Sequence, residues 1–441
     1  MSTAELAHDR SLWRIEVRPN YRQLICIAIP VAILAYTLII YPLGYYGHFV
    51  AADSGTPGPV QAAEPSLLNR IFFPLMAAVS MLMYVLERER APHVNLLLAL
   101  PLLAFVSYCG LSSVWAIDPS TSISKFIVFL LVIAAIVPAV SVIQSAERYL
   151  TPMFWVAVAT LLINLAFVLL TPPTPIGHAG IYSHKNSLGG AAAFCTLFLI
   201  YGMARPEKFY RIVSAVLVPI ALYVLYRSQA KTALGLTLIV PVLAAGFALA
   251  RLYLRLTMPV VLGLLGIVIC YVLFSGMFEV SPTAISMIVT GDPTFTGRTD
   301  LWTFAVQKIA EQPWFGYGFH SFWQVGDASP AWQGAPGFLQ RTPHDHEGYL
   351  DLLLEGGFVG FGLFVAMVLM VCRWISRATD ESPVIGWLLT GLMLYEMLNN
   401  LLETNWFDPL DPGTVIFLSF VATAIAGRPT LQPTMLVRAT R

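Results

Sequence analysis

Apolar residues run along this chain in long stretches that short polar segments separate, and this pattern predicts its architecture. A helix of about 20 apolar residues is long enough to cross the hydrocarbon core of a bilayer. Several stretches contain Pro or Gly, which membrane helices tolerate. The twelve candidate spans lie at about 24–43, 70–86, 94–111, 126–143, 152–170, 188–204, 211–226, 232–250, 257–275, 348–374, 384–402 and 413–427.

The composition agrees with a membrane protein. Hydrophobic residues make up 57% of the 441 residues and charged residues only 11%, whereas about a quarter of the residues are charged in a soluble domain. The first apolar stretch follows a polar leader without a small-residue cleavage site, so we expect a retained helix and not a signal peptide. All of these features predict an all-α polytopic membrane protein. The five cysteines lie in apolar stretches without paired spacing, so we interpret them as packing residues and not as disulfides or metal ligands.

The distribution of basic residues predicts the orientation. With a cytoplasmic N-terminus, 17 of the 25 Lys and Arg residues fall on the cytoplasmic side, as the positive-inside rule requires. The remaining eight share the outer side: Arg70, Lys125, Lys185, Arg227, Lys231, Arg298, Lys308 and Arg341. The predicted division of the chain is a cytoplasmic leader (1–23), spans one to nine (24–275), a large outer loop (276–347), spans ten to twelve (348–427) and a cytoplasmic tail (428–441).

Two histidines precede the tenth span. Thr342 suits a helix N-cap, Pro343 the first turn and Asp345 the acid of a capping box. His344 and His346 are therefore expected at the positive end of a helix, which favours the neutral, basic imidazole. The alternative is an interfacial polar cap without chemistry. A zinc site is disfavoured, because alternating residues at a helix start point in divergent directions.

Basic residues of the outer side are candidates for anion binding. Arg227 and Lys231 are four residues apart and share a face if their segment is helical. Two adjacent cations repel each other unless an anion lies between them, although snorkelling to lipid headgroups is the alternative. The guanidinium fork of Arg298 suits a diphosphate, but it is also an ordinary loop charge. His184 and Lys185 precede a helix start, where a solvent-facing cap is the simpler interpretation.

The large outer loop contains a predicted amphipathic helix that begins near residue 299. Its apolar residues suggest a helix lying in the membrane interface, and they are Leu301, Trp302, Phe304, Ala305 and Ile309. A Gly-rich aromatic turn at 312–320 follows, which we interpret as part of an interfacial belt, with sugar stacking or lipid guiding as the alternative. Three acids, Glu347, Asp351 and Glu355, form a stripe at the start of span ten, and an outer arginine is their expected partner.

Taken in order, these motifs resemble the O-antigen ligase and polysaccharide polymerase superfamily. The resemblance rests on Thr-Gly-Arg-Thr at 296–299 with Trp302, on Pro-Trp-Phe-Gly-Tyr-Gly at 313–318, and on the His-x-His-x-Gly-Tyr-Leu run within 344–357. The runs at 184–189 and 227–233 are similar to the exopolysaccharide polymerase branch. One departure is Glu347, where many relatives carry Asn.

The resemblance implies a membrane-embedded, GT-C-like glycosyltransferase that inverts the sugar linkage and needs no metal or cofactor. Its donor would be a glycan on undecaprenyl diphosphate, at the periplasmic face of the bacterial inner membrane. His346 would be the general base, with His344 as second choice. The diphosphate would be bound by Arg227 and Arg298, with Lys231, Lys185 and Arg341 in support.

Two acceptors fit this reaction. We predict a polymerase, which transfers the chain to a lipid-linked repeat unit; the alternative is an O-antigen ligase, whose acceptor is lipid A-core. Besides these substrates, membrane lipids are the expected partners, and no nucleic acid is expected. A lipid-linked oligosaccharide transporter is the non-enzyme alternative. It is disfavoured because the charges gather on one face and no internal repeat matches the large outer loop.

Overall fold

The computed structural model describes residues 14–15, 20–51, 66–88, 95–274, 298–335, 337–428 and 435–436. About four fifths of these residues are helical. The helices are α1 (Tyr21–Ala35), α2 (Tyr41–Ala51), α3 (Leu67–Leu86), α4 (Leu96–Ser112), α5 (Pro119–Val142), α6 (Ala146–Leu170), α7 (Lys185–Ala204), α8 (Lys208–Ser228), α9 (Lys231–Leu254), α10 (Met258–Phe274), α11 (Arg298–Glu311), α12 (Pro330–Gly334), α13 (Gly348–Glu381), α14 (Pro383–Asn399) and α15 (Pro412–Ile425).

Shorter elements complete the chain. A π-helical turn, Tyr36–Ile40, joins α1 directly to α2, and 3₁₀ turns lie at Gly326–Ala328 and Gly337–Arg341. The two-residue strands β1 (Arg14–Ile15) and β2 (Met435–Leu436) pair antiparallel.

The helices confirm the predicted class, an all-α polytopic membrane protein. Eight helical segments of the described chain are long and apolar enough to cross a membrane: Tyr21–Tyr46, Leu67–Leu86, Pro119–Val142, Ala146–Leu170, Lys185–Ala204, Lys208–Ser228, Lys231–Leu254 and Gly348–Glu381. The shorter apolar helices Leu96–Ser112, Met258–Val268 and Pro412–Ile425 fall at three further predicted spans. The count of twelve spans and the division of the chain into leader, loop and tail stay predictions.

The membrane helices share one large apolar core, in which α7 packs along α8, α3 along α5, and α9 along α14. A separate small core lies in the outer loop and is formed by α11, residues 322–339 and the first turns of α13. The apolar face of α11 (Leu301, Phe304, Ala305 and Ile309) is buried in it. The expectation that this face lies on lipid is therefore wrong. Each large apolar side chain buried in this way stabilises the loop by about 1.5–3 kcal/mol.

Helix α13 is broken at Gly357, and the aromatic turn at 313–318 fits into the break. Gly357 has φ 56° and ψ −165°, a conformation that is essentially restricted to glycine. Before the break, Tyr317 N donates to Leu354 O (2.7 Å) and Gly318 N to Glu355 O (3.0 Å). After the break, Phe358 N donates to the carbonyl of Pro313 (2.8 Å).

We call residues 313–318 the docking turn. It satisfies main-chain groups that the break removes from the helix ladder, and the Tyr108 hydroxyl adds a bond to Gly356 O (2.7 Å). The Trp314 and Phe315 side chains are exposed, and the Trp314 ring lies next to Phe358, with centroids 6.0 Å apart. The docking turn therefore attaches the outer loop to α13 through main-chain hydrogen bonds. Its exposed aromatic rings are compatible with both predicted roles, an interfacial belt and sugar stacking, and these stay predictions.

Candidate functional site

The histidine motif lies immediately before α13 and not inside it. Helix α13 begins at Gly348, and Glu347 is its N-cap, with Oε2 accepting from Leu350 N at 2.5 Å. Thr342 is therefore not the cap, and the expectation that both histidines lie in the first helical turn is wrong. His346 instead adopts a left-handed backbone conformation with φ 58°, which turns the chain into the helix.

Gly348 brings this motif into contact with the segment that follows α14. Its N–H donates to Asn400 O (2.8 Å) and to Glu403 O (3.1 Å). A Cβ at Gly348 would lie 2.4 Å from Asn400 Oδ1, so only glycine permits this approach. The fully buried Asn400 side chain also accepts from Asn405 N (2.9 Å) and Trp406 N (3.0 Å). Asn400 thereby shapes the turn that presents Glu403.

The Glu403 carboxylate joins three elements. It accepts from Asn186 Nδ2 of α7 (2.8 Å) and pairs with Arg298 Nη2 of α11 (3.2 Å), and Oε2 lies 3.5 Å from His346 Nδ1. Arg298 also donates to the carbonyl of Leu402. Burial opposes ionisation of Glu403, but the nearby His346 ring and the charge of Arg298 outweigh it and lower its pKa. Glu403 is therefore an ionised partner for His346.

Hydrogen bonds distinguish the two histidines. His344 Nδ1 accepts from His346 N at 3.3 Å, and the two rings meet edge to face with centroids 4.2 Å apart. Burial, followed by the nearby His346, lowers the pKa of His344 to about 4, so His344 is neutral and carries its proton on Nε2. In His346, Nδ1 faces Glu403, which fixes a proton there and leaves the Nε2 lone pair for proton abstraction. The geometry thus leaves a lone pair on His346 Nε2 and a proton on His344 Nε2, while their catalytic roles stay predictions.

The acids of the motif have partners other than arginine. Burial raises the pKa of Asp345, whose Oδ1 accepts from Glu347 N (2.9 Å), and its carbonyl accepts from Trp302 Nε1 (3.2 Å). Further along α13, Asp351 Oδ1 accepts from Trp323 Nε1 (2.6 Å), and Glu355 Oε1 lies 3.4 Å from His320 Nδ1. The predicted pairing of this acidic stripe with an outer arginine is therefore wrong.

A basic cavity of about 410 Å³ lies near the start of α7. We call it the basic cavity; Lys185, Arg227, Lys231 and His178 line it, and none of its described lining residues is Asp or Glu. Arg227 donates to Tyr223 OH (2.7 Å), and its Nη2 lies 2.6 Å from His178 Nε2. Burial and the charge of Arg227 lower the pKa of His178, so the neutral ring accepts from Arg227. These contacts hold the guanidinium at the cavity wall.

Arg227 and Lys231 belong to different helices. Helix α8 ends at Ser228, Gln229 takes the left-handed conformation (φ 58°), and α9 begins at Lys231. The expectation of one shared helix face is therefore wrong, but the tight turn still brings both side chains to one cavity. The neighbouring loop approaches closely as well, since a Cβ at Gly177 would lie 2.3 Å from Ser228 O.

The start of α7 lies between the histidine motif with Glu403 and the basic cavity. His184 caps this helix through Nδ1, which accepts from Asn186 N at 3.2 Å. Lys185 lines the basic cavity, whereas the next residue, Asn186, holds Glu403. The structure therefore brings Lys185, Arg227 and Lys231 together. It places Arg298 with the histidines instead.

Arg341 lies apart from both groups. It ends a 3₁₀ turn, its side chain is exposed, and it lines neither cavity found in the described part of the chain. No group of three or more His, Cys, Asp or Glu side chains suited to a metal ion occurs among the described residues. The metal-independent mechanism stays a prediction.

Two residues of this site were missed from the sequence. Glu403 directly follows the predicted eleventh span (384–402), on the same side as Arg298 and the histidines, and this shared side was the available signal. His178 lies in the outer loop before α7, but nothing in the sequence shows that the chain folds back so that His178 N reaches Arg227 O at 3.0 Å.

Comparison with known proteins identifies related chains. Residues 216–365 match a family model described as O-antigen ligase. An O-antigen ligase of Pseudomonas aeruginosa is 27% identical over 83% of this chain and 86% of its own length. Two shorter matches are rickettsial proteins to which a polysaccharide ligase activity is ascribed. The Rickettsia bellii protein is 26% identical over 27% of this chain and 32% of its own length, and the Rickettsia prowazekii protein 30% over 26% and 29%.

Proposed function

From the premise that this chain belongs to the O-antigen ligase superfamily, we propose that it ligates a lipid-linked polysaccharide to a sugar hydroxyl of a separate acceptor. Members of this superfamily are glycosyl-transferring enzymes of the membrane, so the transporter alternative is not adopted. The named relatives support a ligase better than the polymerase that the sequence motifs favoured. The proposal therefore adopts the ligase alternative, with lipid A-core as acceptor.

The basic cavity supports a diphosphate-linked donor. Lys185, Arg227 and Lys231 line it together, and cations that share a wall are stabilised by an anion between them. The Arg227 guanidinium can make two parallel bonds to phosphate oxygens, while His178 and Tyr223 fix its orientation. In the proposed reaction these groups stabilise the negative charge that develops as undecaprenyl diphosphate leaves.

His346 supplies the base for the acceptor. Its Nε2 takes the proton of the acceptor hydroxyl, and the freed oxygen attacks the anomeric carbon of the donor sugar. The new carbon–oxygen bond forms opposite the breaking bond to the diphosphate, so the configuration inverts. Ionised Glu403 stabilises the imidazolium, which then loses its proton to water. General base catalysis of this kind contributes a factor of about 10² to 10⁴.

One observation carries the proposal: the base and the anion cavity lie on either side of the start of α7. Asn186 binds the carboxylate that orients His346, and the adjacent Lys185 lines the basic cavity. In the proposed arrangement, the sugar attached to a diphosphate in that cavity extends past the start of α7 toward His346. The proposed location is the periplasmic face of the inner membrane, where donor and acceptor lipids meet.

Deletion of the protein separates the two acceptors. If the protein is a ligase, its deletion should cause lipid-linked polymer to accumulate while the lipopolysaccharide stays uncapped. Loss of all long chains on deletion would favour the polymerase instead. Purified protein should then transfer polymer from undecaprenyl diphosphate to lipid A-core. His346→Ala should reduce this transfer by a factor of about 10² or more, whereas Lys308→Ala, which removes a surface ion pair with Glu311, should not. Transfer at the wild-type rate by His346→Ala would refute the mechanism.

A further inference from the structure

A second cavity, of about 400 Å³, lies on the other side of the start of α7. We call it the acidic cavity, because Glu396, Glu403, Asp408 and Asp411 line it. None of its described lining residues is Lys, Arg or His. It is therefore similar in volume to the basic cavity and opposite in charge.

Tyr395 lines the acidic cavity, and its buried hydroxyl has no protein partner among the described residues. Only 7% of Tyr395 is exposed, and its hydroxyl makes no hydrogen bond within the described residues. A buried hydroxyl without a partner is unfavourable, so such groups in native proteins call for an explanation. A ligand with hydroxyl groups would supply the missing hydrogen bond.

The acids of the cavity are only partly used by the protein. Asp408 Oδ1 accepts from Leu410 N (2.9 Å), Asp411 Oδ1 from Gly413 N (2.7 Å), and Glu396 Oε1 from Asn400 Nδ2 (2.9 Å). These bonds occupy one oxygen of each carboxyl group. Burial raises the pKa of Asp408 and of Asp411, which favours the protonated forms, and a protonated carboxyl group both donates and accepts.

We propose that the acidic cavity binds an uncharged sugar residue of the acceptor. This inference rests on the proposed function and adds the acceptor subsite to it. The ionised Glu403 would repel a diphosphate here, whereas sugar hydroxyls match the mixture of carboxyl groups and the Tyr395 hydroxyl. Glu403 also orients His346, so a sugar bound against it lies beside the base. Donor phosphate and acceptor sugar thus occupy cavities of opposite charge.

Tyr395→Phe tests the subsite most directly, because it removes a hydroxyl that makes no bond to the protein. Affinity for lipid A-core should be measured with full-length protein in a His346→Ala background, which prevents turnover. We expect the dissociation constant of lipid A-core to rise by a factor of about 3–10, as for the loss of one neutral hydrogen bond. Binding of undecaprenyl-diphosphate-linked polymer should not change. Tyr149→Phe is the control, since Tyr149 bonds Thr423 and does not line the cavity.

A second pair of variants tests the cavity by its volume. A Cβ at Gly190 would lie 3.6 Å from Tyr395 OH, at ordinary contact distance. Gly190→Ala should therefore fold normally and weaken binding of lipid A-core. Gly235→Ala in α9 is matched to it, because a Cβ there meets nothing within 4 Å, and should leave binding unchanged.

The outcomes separate this inference from the proposed function. If wild-type protein transfers polymer but both cavity variants bind lipid A-core normally, the subsite is refuted and the ligase stands. If the variants weaken donor binding and leave the affinity for lipid A-core unchanged, the cavity binds the donor and the acceptor assignment is wrong. If lipid A-core binds and the variants weaken it, but wild-type protein transfers nothing, the subsite stands and the proposed reaction fails. Absence of lipid A-core binding to the background protein would refute the subsite.

Discussion

Replacement of Glu403 by Gln removes one charge and keeps the shape of the side chain. The remaining oxygen can still accept from Asn186 and Arg298, which contact Oε1 in the native protein. The new NH₂ group then faces His346 Nδ1 in place of Oε2, which lies 3.5 Å away. Because a donor now faces Nδ1, the ring is stabilised with its proton on Nε2. This is the wrong tautomer for a base.

Glu403→Gln is expected to affect both the rate of transfer and the stability of the protein. The wrong tautomer and the loss of the charge that stabilises imidazolium should lower kcat by a factor of about 10² to 10⁴, which is the usual contribution of a general base. At about 1.4 kcal/mol per tenfold change, this raises the barrier by about 3–5 kcal/mol. Loss of the ion pair with Arg298 should lower the free energy of unfolding by about 1–3 kcal/mol, less than for a fully buried pair, because the Arg298 side chain is 16% exposed.

The assay compares transfer rates and substrate affinities in purified protein. Glu403→Gln should lose kcat, and a higher pH should not restore it, because the tautomer and not the charge of His346 is at fault. Glu311→Gln is the matched control: the same substitution in the outer loop removes the charge that pairs with Lys308 at the surface and contacts Tyr317, and touches neither histidine. Wild-type kcat in Glu403→Gln would refute the assignment of Glu403 as the partner of the base.

Three further predictions follow from the structure. Gly357→Ala should destabilise the protein by at least about 1–3 kcal/mol, because its Cβ would lie 2.4 Å from Trp314 O; thermal unfolding should show this loss, and Gly362→Ala, which meets nothing within 4 Å, should not. His344, with a pKa of about 4 when folded, contributes stability that is complete above pH 6.5 and falls as the pH drops toward 4, by up to about 3 kcal/mol. His344→Gln should therefore lose less stability than wild type between pH 7.5 and 5; equal losses would contradict the burial argument. Arg227→Lys keeps the charge but loses the fork, so the KM for the donor should rise about tenfold while kcat for bound donor changes less, which initial-rate kinetics can resolve; an unchanged KM would place the diphosphate elsewhere.

Membrane helices could be predicted because their signal lies within each segment. Uninterrupted apolar length fixes where a chain can cross a bilayer, and the helices found by length and composition fall at predicted spans. The helix before the docking turn was also visible from its spacing. The surface that this helix packs against could not be predicted, because spacing shows which face is apolar but not whether lipid or protein covers it.

The site was only partly predictable, since its contacts join residues that are distant along the chain. His346, Arg227, Lys185 and Lys231 carry chemistry that the sequence displays. Glu403 is positioned next to His346 by a turn that Asn400 shapes and by the close approach of Gly348. The helix start was misplaced because Thr342 is a good cap by residue type, yet left-handed His346 and the Glu347 cap begin the helix five residues later.

The docking turn has an evolutionary consequence. Its bonds to α13 are made by main-chain atoms, so they constrain sequence only where a side chain cannot fit. Gly316, whose Cβ would lie 2.6 Å from Leu354 O, and Gly357 are such positions. The exposed side chains of Trp314 and Phe315 are free of that constraint. The exposed surface of the docking turn can therefore change in sequence while the two glycines preserve its main-chain contact with α13.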